Sequence, residues 1–431
     1  MIARIQLVCE TGFMRIFAIA CGITFIQILL AILVQGQRSP IVSYEHLNAF
    51  DSVWYQGIAE KGYFSNLPRD RDDWKDIDQD KFQQLTNIAF LPAYPLLVHF
   101  FHRMIGIPFR TAMLLVSQAF CVGFWIYLQL FLNQLRVSKR MRQLCILSII
   151  VYPSTFFLVT GYSESLFLFF MMGFLYWCNC ESKYACILAG LHGFAMSLTR
   201  ILGLVVSLYA LIQRRILVTI ASMMGVVVFF TYLHFIFGYW DFYLKIQRVG
   251  WLVVPDYLFP LHDGFHFLPT FGQHLLDPNQ VSANITTLMF WILVLLSLAM
   301  LHRTSIRSAS SCVIPSDFAK QNSIEGRKMP NTQCDTAIKF IEVRYGLLSL
   351  AIILFYLQAS AVSSLGFRSM SRYCLPVFIL LAIIVSHRLT ESNLEGRTKY
   401  VACIVFSVYC IAALTLQLHL LDLFTHKEWV G

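Results

Sequence analysis

Apolar segments recur along almost the whole sequence, near residues 16–35, 110–132, 143–160, 165–180, 184–198, 201–213, 216–237, 284–301, 345–361, 373–388 and 399–420. A bilayer's hydrocarbon core is about 30 Å thick and takes about 20 apolar residues of helix to span. In lipid every backbone polar group must be satisfied internally, so a chain built this way is helical. Composition agrees: 57% of the residues are hydrophobic and 13% charged, against about 45–50% and about 25% in soluble domains. The pattern predicts an all-α polytopic membrane protein with about eleven transmembrane helices, folded as one unit over residues 1–431.

Charge predicts the sidedness. The loop holding Arg136, Lys139, Arg140 and Arg142 carries no acid, and Arg214–Arg215 marks another basic turn; the positive-inside rule puts both in the cytoplasm. The loop 302–344, with seven basic and four acidic residues, belongs there too and is expected to be partly disordered. Residues 36–88 and 238–283 then form two large outer loops, the first with nine acidic and six basic residues. The count of crossings leaves none for 89–105, whose Pro92 and Pro95 fit a re-entrant or interfacial element. Arg4, Arg15 and the apolar run after them read as a retained first span rather than a cleaved signal. The net charge of +9 sits in short loops and makes no basic stripe, which argues against nucleic acid.

Chemistry is expected on the outer side. Asp51 follows the first span and opens a short run with apolar residues at helical spacing. A carboxylate there could act as a general base at the lip of the membrane, or could cap the helix that follows. Glu164, in Tyr162-Ser163-Glu164-Ser165, is either a pocket residue or a charge favoured by a helix N-terminus. Arg200, Arg368 and Arg372 lie outside against the general trend. A guanidinium fork suits a lipid-linked phosphate, while snorkelling to headgroups is the alternative. The 12 cysteines lie mostly in apolar spans and read as small hydrophobes. Histidine spacing supports no metal site, and no phosphate-binding loop or serine-hydrolase elbow occurs.

Four pieces in order carry a family resemblance: Phe50-Asp51-Ser52-Val53-Trp54-Tyr55 with Ile58-Ala59-Glu60-Lys61-Gly62-Tyr63; Asn87-Ile88-Ala89-Phe90-Leu91-Pro92-Ala93-Tyr94-Pro95-Leu96-Leu97; Tyr152-Pro153 with Gly161-Tyr162-Ser163-Glu164-Ser165; and Ser197-Leu198-Thr199-Arg200 with Gly203. Arg372-Tyr373 is a looser fifth. The sequence resembles the GT-C glycosyltransferases of the GPI mannosyltransferase 2 (PIG-V) type, in the form of their bacterial relatives. Phe50 stands where the family usually has Trp, and the acidic run 69–81 lengthens the gap between Gly62-Tyr63 and Asn87.

The resemblance implies the GT-C fold and an inverting mannosyltransferase fed by a polyprenyl- or dolichyl-phosphate sugar. Its acceptor would be a glycolipid or glycan on the outer or lumenal face of the bilayer. Asp51 would be the catalytic base, Arg200 and Arg372 the donor phosphate ligands, and Trp54, Tyr55, Tyr94, Tyr162 and Glu164 the substrate pocket. No cofactor is required, and a divalent metal stays open. The resemblance implies a bacterial cytoplasmic membrane, or the endoplasmic reticulum in a eukaryote. The rivals are a transporter or flippase of lipid-linked sugars, which would show broken helices and a repeat between halves, and an acyltransferase using His192 or His234.

Overall fold

The computed structural model describes residues 2–35, 39–68, 70, 72–262, 265–270, 272, 276–311, 331–391 and 396–426, with backbone only for 2–11, 301–311, 331–341 and 396–397. In chain order the helices are α1 (Ile2–Val34), α2 (Pro40–Glu45), α3 (Ser52–Lys61), α4 (Gln79–Gln84), α5 (Ala93–Ile105), α6 (Phe109–Gln134), α7 (Lys139–Ile150) and α8 (Glu164–Cys178). They continue as α9 (Ala185–Thr199), α10 (Gly203–Ile212), α11 (Ile216–Phe237), α12 (Phe242–Gly250), α13 (Pro278–Ser311), α14 (Asn331–Val362), α15 (Met370–Glu391) and α16 (Gly396–Thr425). Among the described residues the only β pairing is an isolated bridge between Ser65 and Thr86. Among the described residues seven helices are long and apolar enough to cross a membrane: α1, α6, α11 and α13 to α16. The chain is a multi-pass, all-helical membrane protein.

Helix ends sort onto two faces. At one, Gln134 bonds the Asn179 carbonyl, Arg215 the Cys180 carbonyl, Ser138 meets Thr390, and Tyr345 meets Met300. The basic turns at 136–142 and 214–215 lie here. At the other, Gly161 bonds Leu47, Asp256 bonds Ser360, and the Phe50 ring packs on Phe424. The described residues of the polar segment 39–88 lie at this second face, an arrangement that agrees with the positive-inside pattern. Helix α5 does not pass between the faces. It turns back at left-handed Gly106, and Tyr94 near its start bonds Met113 and Ser117 near the start of α6.

Three expectations need correction. The segment 143–160 is not one helix: α7 stops at Ile150, ahead of Pro153, and a buried 3-10 turn covers Thr155–Val159. Proline has no N–H for the helix ladder, and irregular backbone at this depth must find other partners. The Gln417 amide donates to the Ile150 and Tyr152 carbonyls, and the Thr155 hydroxyl to Ile149. Next, α8 and α9 have 15 residues each and α10 has 10. At about 1.5 Å per residue α10 rises only about 15 Å, half a hydrocarbon core. Lastly, α13 and α14 overrun the segment 302–344 from both sides, and residues 312–330 lie outside the described residues.

The short helices are held by close packing. A Cβ at Gly193 would meet Ser222 Oγ at 1.8 Å, and one at Gly225 would meet the Phe194 carbonyl at 2.3 Å. Small residues let membrane helices approach where water supplies no hydrophobic drive. The effect on function is positional: α8, α9 and α10 end or start at one level, putting Glu164, Arg200 and Leu202 side by side.

Candidate active site

Asp51 is delivered by a strained turn. Phe50, just before it, has φ 49°, a left-handed conformation that costs a bulky residue on the order of 1–3 kcal/mol. Packing of the Phe50 ring on Phe424 at 5.6 Å accompanies it. Asp51 occupies the N-cap position of α3 yet makes no side-chain cap bond. The expected capping role is therefore corrected: the carboxylate turns to Arg372 instead, Nη1 lying 2.9 Å from Oδ2. Asp51 Oδ1 has no hydrogen-bond partner among the described residues, and the side chain is 18% exposed.

Arg372 arrives from a second left-handed turn, with Gly366, Phe367 and Ser369 at φ 64°, 60° and 66°. Its guanidinium is 4% exposed and bridges two acids, Nε lying 3.5 Å from Glu164 Oε1. That contact lacks hydrogen-bond geometry, so Arg372 Nε is buried without a hydrogen-bond partner among the described residues, as is the other Glu164 oxygen, Oε2. Arg200 Nη1 donates to the same Glu164 Oε1 at 2.9 Å. Two acids and two arginines thus form one chain of ion pairs, Asp51 to Arg372 to Glu164 to Arg200, with formal charge balanced. Burial works most strongly against the Arg200 charge, but Glu164 together with Tyr55 and Tyr373 outweighs it and the arginine's pKa is raised. Around Arg372 the rings of Phe157, Tyr162 and Tyr373 lie 5.3, 5.4 and 5.2 Å away, within cation–π range.

The sequence motifs hold this chain in place. The Tyr162 hydroxyl accepts the Asp51 backbone N–H at 3.2 Å. Tyr55 shares a 2.8 Å hydrogen bond with Ser163. Burial raises the pKa of both phenols, which keeps them neutral. Gly161 is required where it stands, because a Cβ there would come 2.0 Å from Asn48 Oδ1. Arg200 terminates α9 in extended backbone. Gly203 sits so close that a Cβ would meet Ser197 Cα at 2.5 Å.

The pieces Gly62-Tyr63 and Asn87-Ile88-Ala89-Phe90 meet in space despite the acidic run between them. Asn87 accepts the Phe64 N–H and donates to the Gly62 carbonyl, while the Tyr63 hydroxyl bonds Phe90. Residues 72–81 of that run are looped out beyond the Ser65–Thr86 bridge.

Asp51, Glu164, Arg200, Arg372 and Tyr162 are therefore gathered at one place. Tyr55 adjoins them through Ser163. Tyr94 is one layer deeper, fully buried, its ring 5.0 Å from Tyr55. Trp54 lies to the side, against Phe90 and Trp251. Arg368 is exposed and outside the ion-pair chain. Sequence reasoning missed Trp251, and missed that Tyr373 carries a ring against Arg372; no spacing signal marks either. Glu164, Arg200, Arg372 and Tyr373 line a small cleft, partly open to solvent, whose other walls are Phe167, Leu168, Leu202, Leu375 and Pro376. Its lining combines three charged side chains with apolar ones. Among the described residues no three His, Cys, Asp or Glu side chains converge as metal ligands.

No family model matches the chain, and no curated protein matches it. Among solved structures it is similar to the archaeal oligosaccharyltransferase AglB from Archaeoglobus fulgidus, determined in complex with an inhibitory peptide and a dolichol-phosphate. The identity is 12% and the TM-score 0.41, over 98% of this chain and 56% of that one. The chain thus spans little more than half the length of that protein.

Proposed function

We propose that the chain is a GT-C glycosyltransferase of the GPI mannosyltransferase 2 type, moving mannose from a polyprenyl- or dolichyl-phosphate donor to a glycolipid or glycan acceptor. The carrying observation is the ion-pair chain of Asp51, Arg372, Glu164 and Arg200, three of whose members line a small cleft with Phe167, Leu168, Leu202, Leu375 and Pro376. That combination suits a donor whose phosphate meets arginines while its prenyl tail stays among apolar side chains. The site lies on the face opposite the basic turns, which supports action on the outer or lumenal side.

Arg372 holds Asp51 through Oδ2 and leaves Oδ1 for the acceptor. Asp51 takes the proton of the acceptor hydroxyl, whose oxygen attacks the anomeric carbon of the donor sugar. The bond from that carbon to the phosphate oxygen breaks, the electron pair leaves with the lipid phosphate, and the configuration inverts. Arg200 and Arg372 stabilise the charge that develops on the leaving phosphate. Glu164 orients both arginines and offers its free Oε2 to a sugar hydroxyl. Tyr162 and Tyr55 fix the backbone and helix that carry Asp51, and Tyr94 supports Tyr55 from beneath.

The protein in nanodiscs, given polyprenyl-phosphate mannose and an alkyl mannoside, is expected to release polyprenyl phosphate and form a glycoside of inverted configuration. Movement of the lipid-linked sugar across proteoliposomes without glycoside formation would instead identify a flippase.

A further inference from the structure

Trp54 lies one helical turn beyond Asp51, and residues three apart on a helix are neighbours on one face. Its ring is near-parallel to Phe90 at 6.4 Å and meets Trp251 edge-on at 6.0 Å. Trp251 also stands perpendicular to Phe90, at 6.0 Å and 88°. Both indoles are partly exposed. The buried or anchored indoles of Trp74, Trp125, Trp177 and Trp291 all donate their ring N–H to a protein oxygen. Those of Trp54 and Trp251 have no such partner among the described residues, so two indole donors are left for a ligand.

Helix α12 ties this corner to the ion-pair chain. Tyr243, Gln247 and Trp251 recur every four residues and therefore share a face. Tyr243 is buried within electrostatic reach of Arg200. Gln247 donates to the Ala89 carbonyl at 2.7 Å, next to Phe90. The face runs from the arginines at one end to the aromatic corner at the other, beside the candidate base.

We propose that Trp54 and Trp251 form the subsite for the acceptor's sugar, binding a pyranose by its C–H face on the indole rings and by its hydroxyls on the two ring N–H groups. The assignment rests on the transferase reading for its role, because the sugar held there would present a hydroxyl to Asp51. The chemistry suits an aromatic surface with a polar edge. A bare lipid tail would leave both indole donors unused.

Binding can be read without catalysis. The purified protein in a sugar-free zwitterionic detergent is titrated with octyl α-mannopyranoside, and separately with octyl β-glucopyranoside, while tryptophan emission is followed. Tetraethylene glycol monooctyl ether serves as the sugar-free control. Saturable quenching by at least one glycoside and not by the control is expected. Trp251→Ala should weaken it about tenfold, a loss equal to one good contact. Trp251→Phe, which keeps a ring but lacks the donor, should weaken it about threefold, the scale of one hydrogen bond, and remains informative if the alanine variant fails to fold. Trp240→Phe, in the turn between α11 and α12 where its ring stacks on His234, should leave the titration unchanged. No saturable quenching by either glycoside in the unmodified protein, or unchanged affinity in both Trp251 variants, overturns the assignment. Failure of mannosyl transfer with quenching intact would count against the transferase and not against the subsite.

Discussion

The Asp51 carboxylate and the Arg372 guanidinium meet at 2.9 Å although 321 residues separate them in the chain. Each is preceded by left-handed, non-glycine backbone, Phe50 on one side and Phe367 and Ser369 on the other. Strain of this kind persists only where surrounding packing enforces it, and it gathers at functional sites.

Removing Arg372 strips two acids of their shared cation. Loss of one partner from a buried pair costs about 3–5 kcal/mol, so Arg372→Ala should lower the unfolding midpoint clearly in any one detergent. Arg372→Lys should recover only part, because an ammonium cannot reach Asp51 and Glu164 as a guanidinium fork does. Equal midpoints for Arg372→Ala and the unmodified protein would show that the pair contributes nothing.

Glu164 and Arg200 should be strongly coupled. Each single change, Glu164→Gln or Arg200→Gln, leaves a buried charge imperfectly matched, whereas the double change removes both. Stabilities from a double-mutant cycle should show an interaction of roughly 0.5–3 kcal/mol. Additive effects would mean the 2.9 Å contact carries no energy.

Two glycine substitutions should part company. Gly161→Ala forces a methyl against Asn48 and Met113, pushing away the loop that leads into Asp51. A displacement near 1 Å at a reacting group costs about 100-fold in rate, and transfer should fall by that order. Gly57→Ala, in α3 with nothing within 4 Å, should raise stability by roughly 0.5–1 kcal/mol and leave transfer intact. Similar activity in the two variants would separate the Asn48 contact from the positioning of Asp51.

The two faces can be read by labelling. In sealed vesicles of one orientation, and in a cysteine-depleted background, cysteines at Val53, Met104 and Arg368 should react alike with an impermeant maleimide. Cysteines at Lys139 and Arg214 should show the opposite pattern. Met104 tests α5 in particular, since a crossing helix would put it with Lys139.

Much of this was legible because it depends on local composition. Apolar runs and clusters such as Arg136 to Arg142 report membrane depth and side directly, and so predicted where Asp51, Glu164, Arg200 and Arg372 would lie. Their pairing was not legible. Whether Asp51 caps α3 or reaches Arg372 depends on a turn at Phe50 that no residue type announces. Trp251 was missed because an aromatic beside a membrane helix looks the same whether it anchors in lipid or stacks on Trp54. The break after Ile150 was hidden by an apolar sequence that reads as one span, its Pro153 outweighed by its neighbours. The interaction that tolerates the break comes from Gln417, far along the chain.

The most direct test of the central claim is Asp51→Asn, which keeps the shape of the side chain and removes its ability to take a proton. A positioned general base contributes about 10²–10⁴-fold. Mannosyl transfer from polyprenyl-phosphate mannose should drop by that factor, while binding of the donor, which the proposal assigns to Arg200 and Arg372, should be retained. Undiminished transfer in a folded Asp51→Asn protein would contradict the assignment of Asp51 as the base.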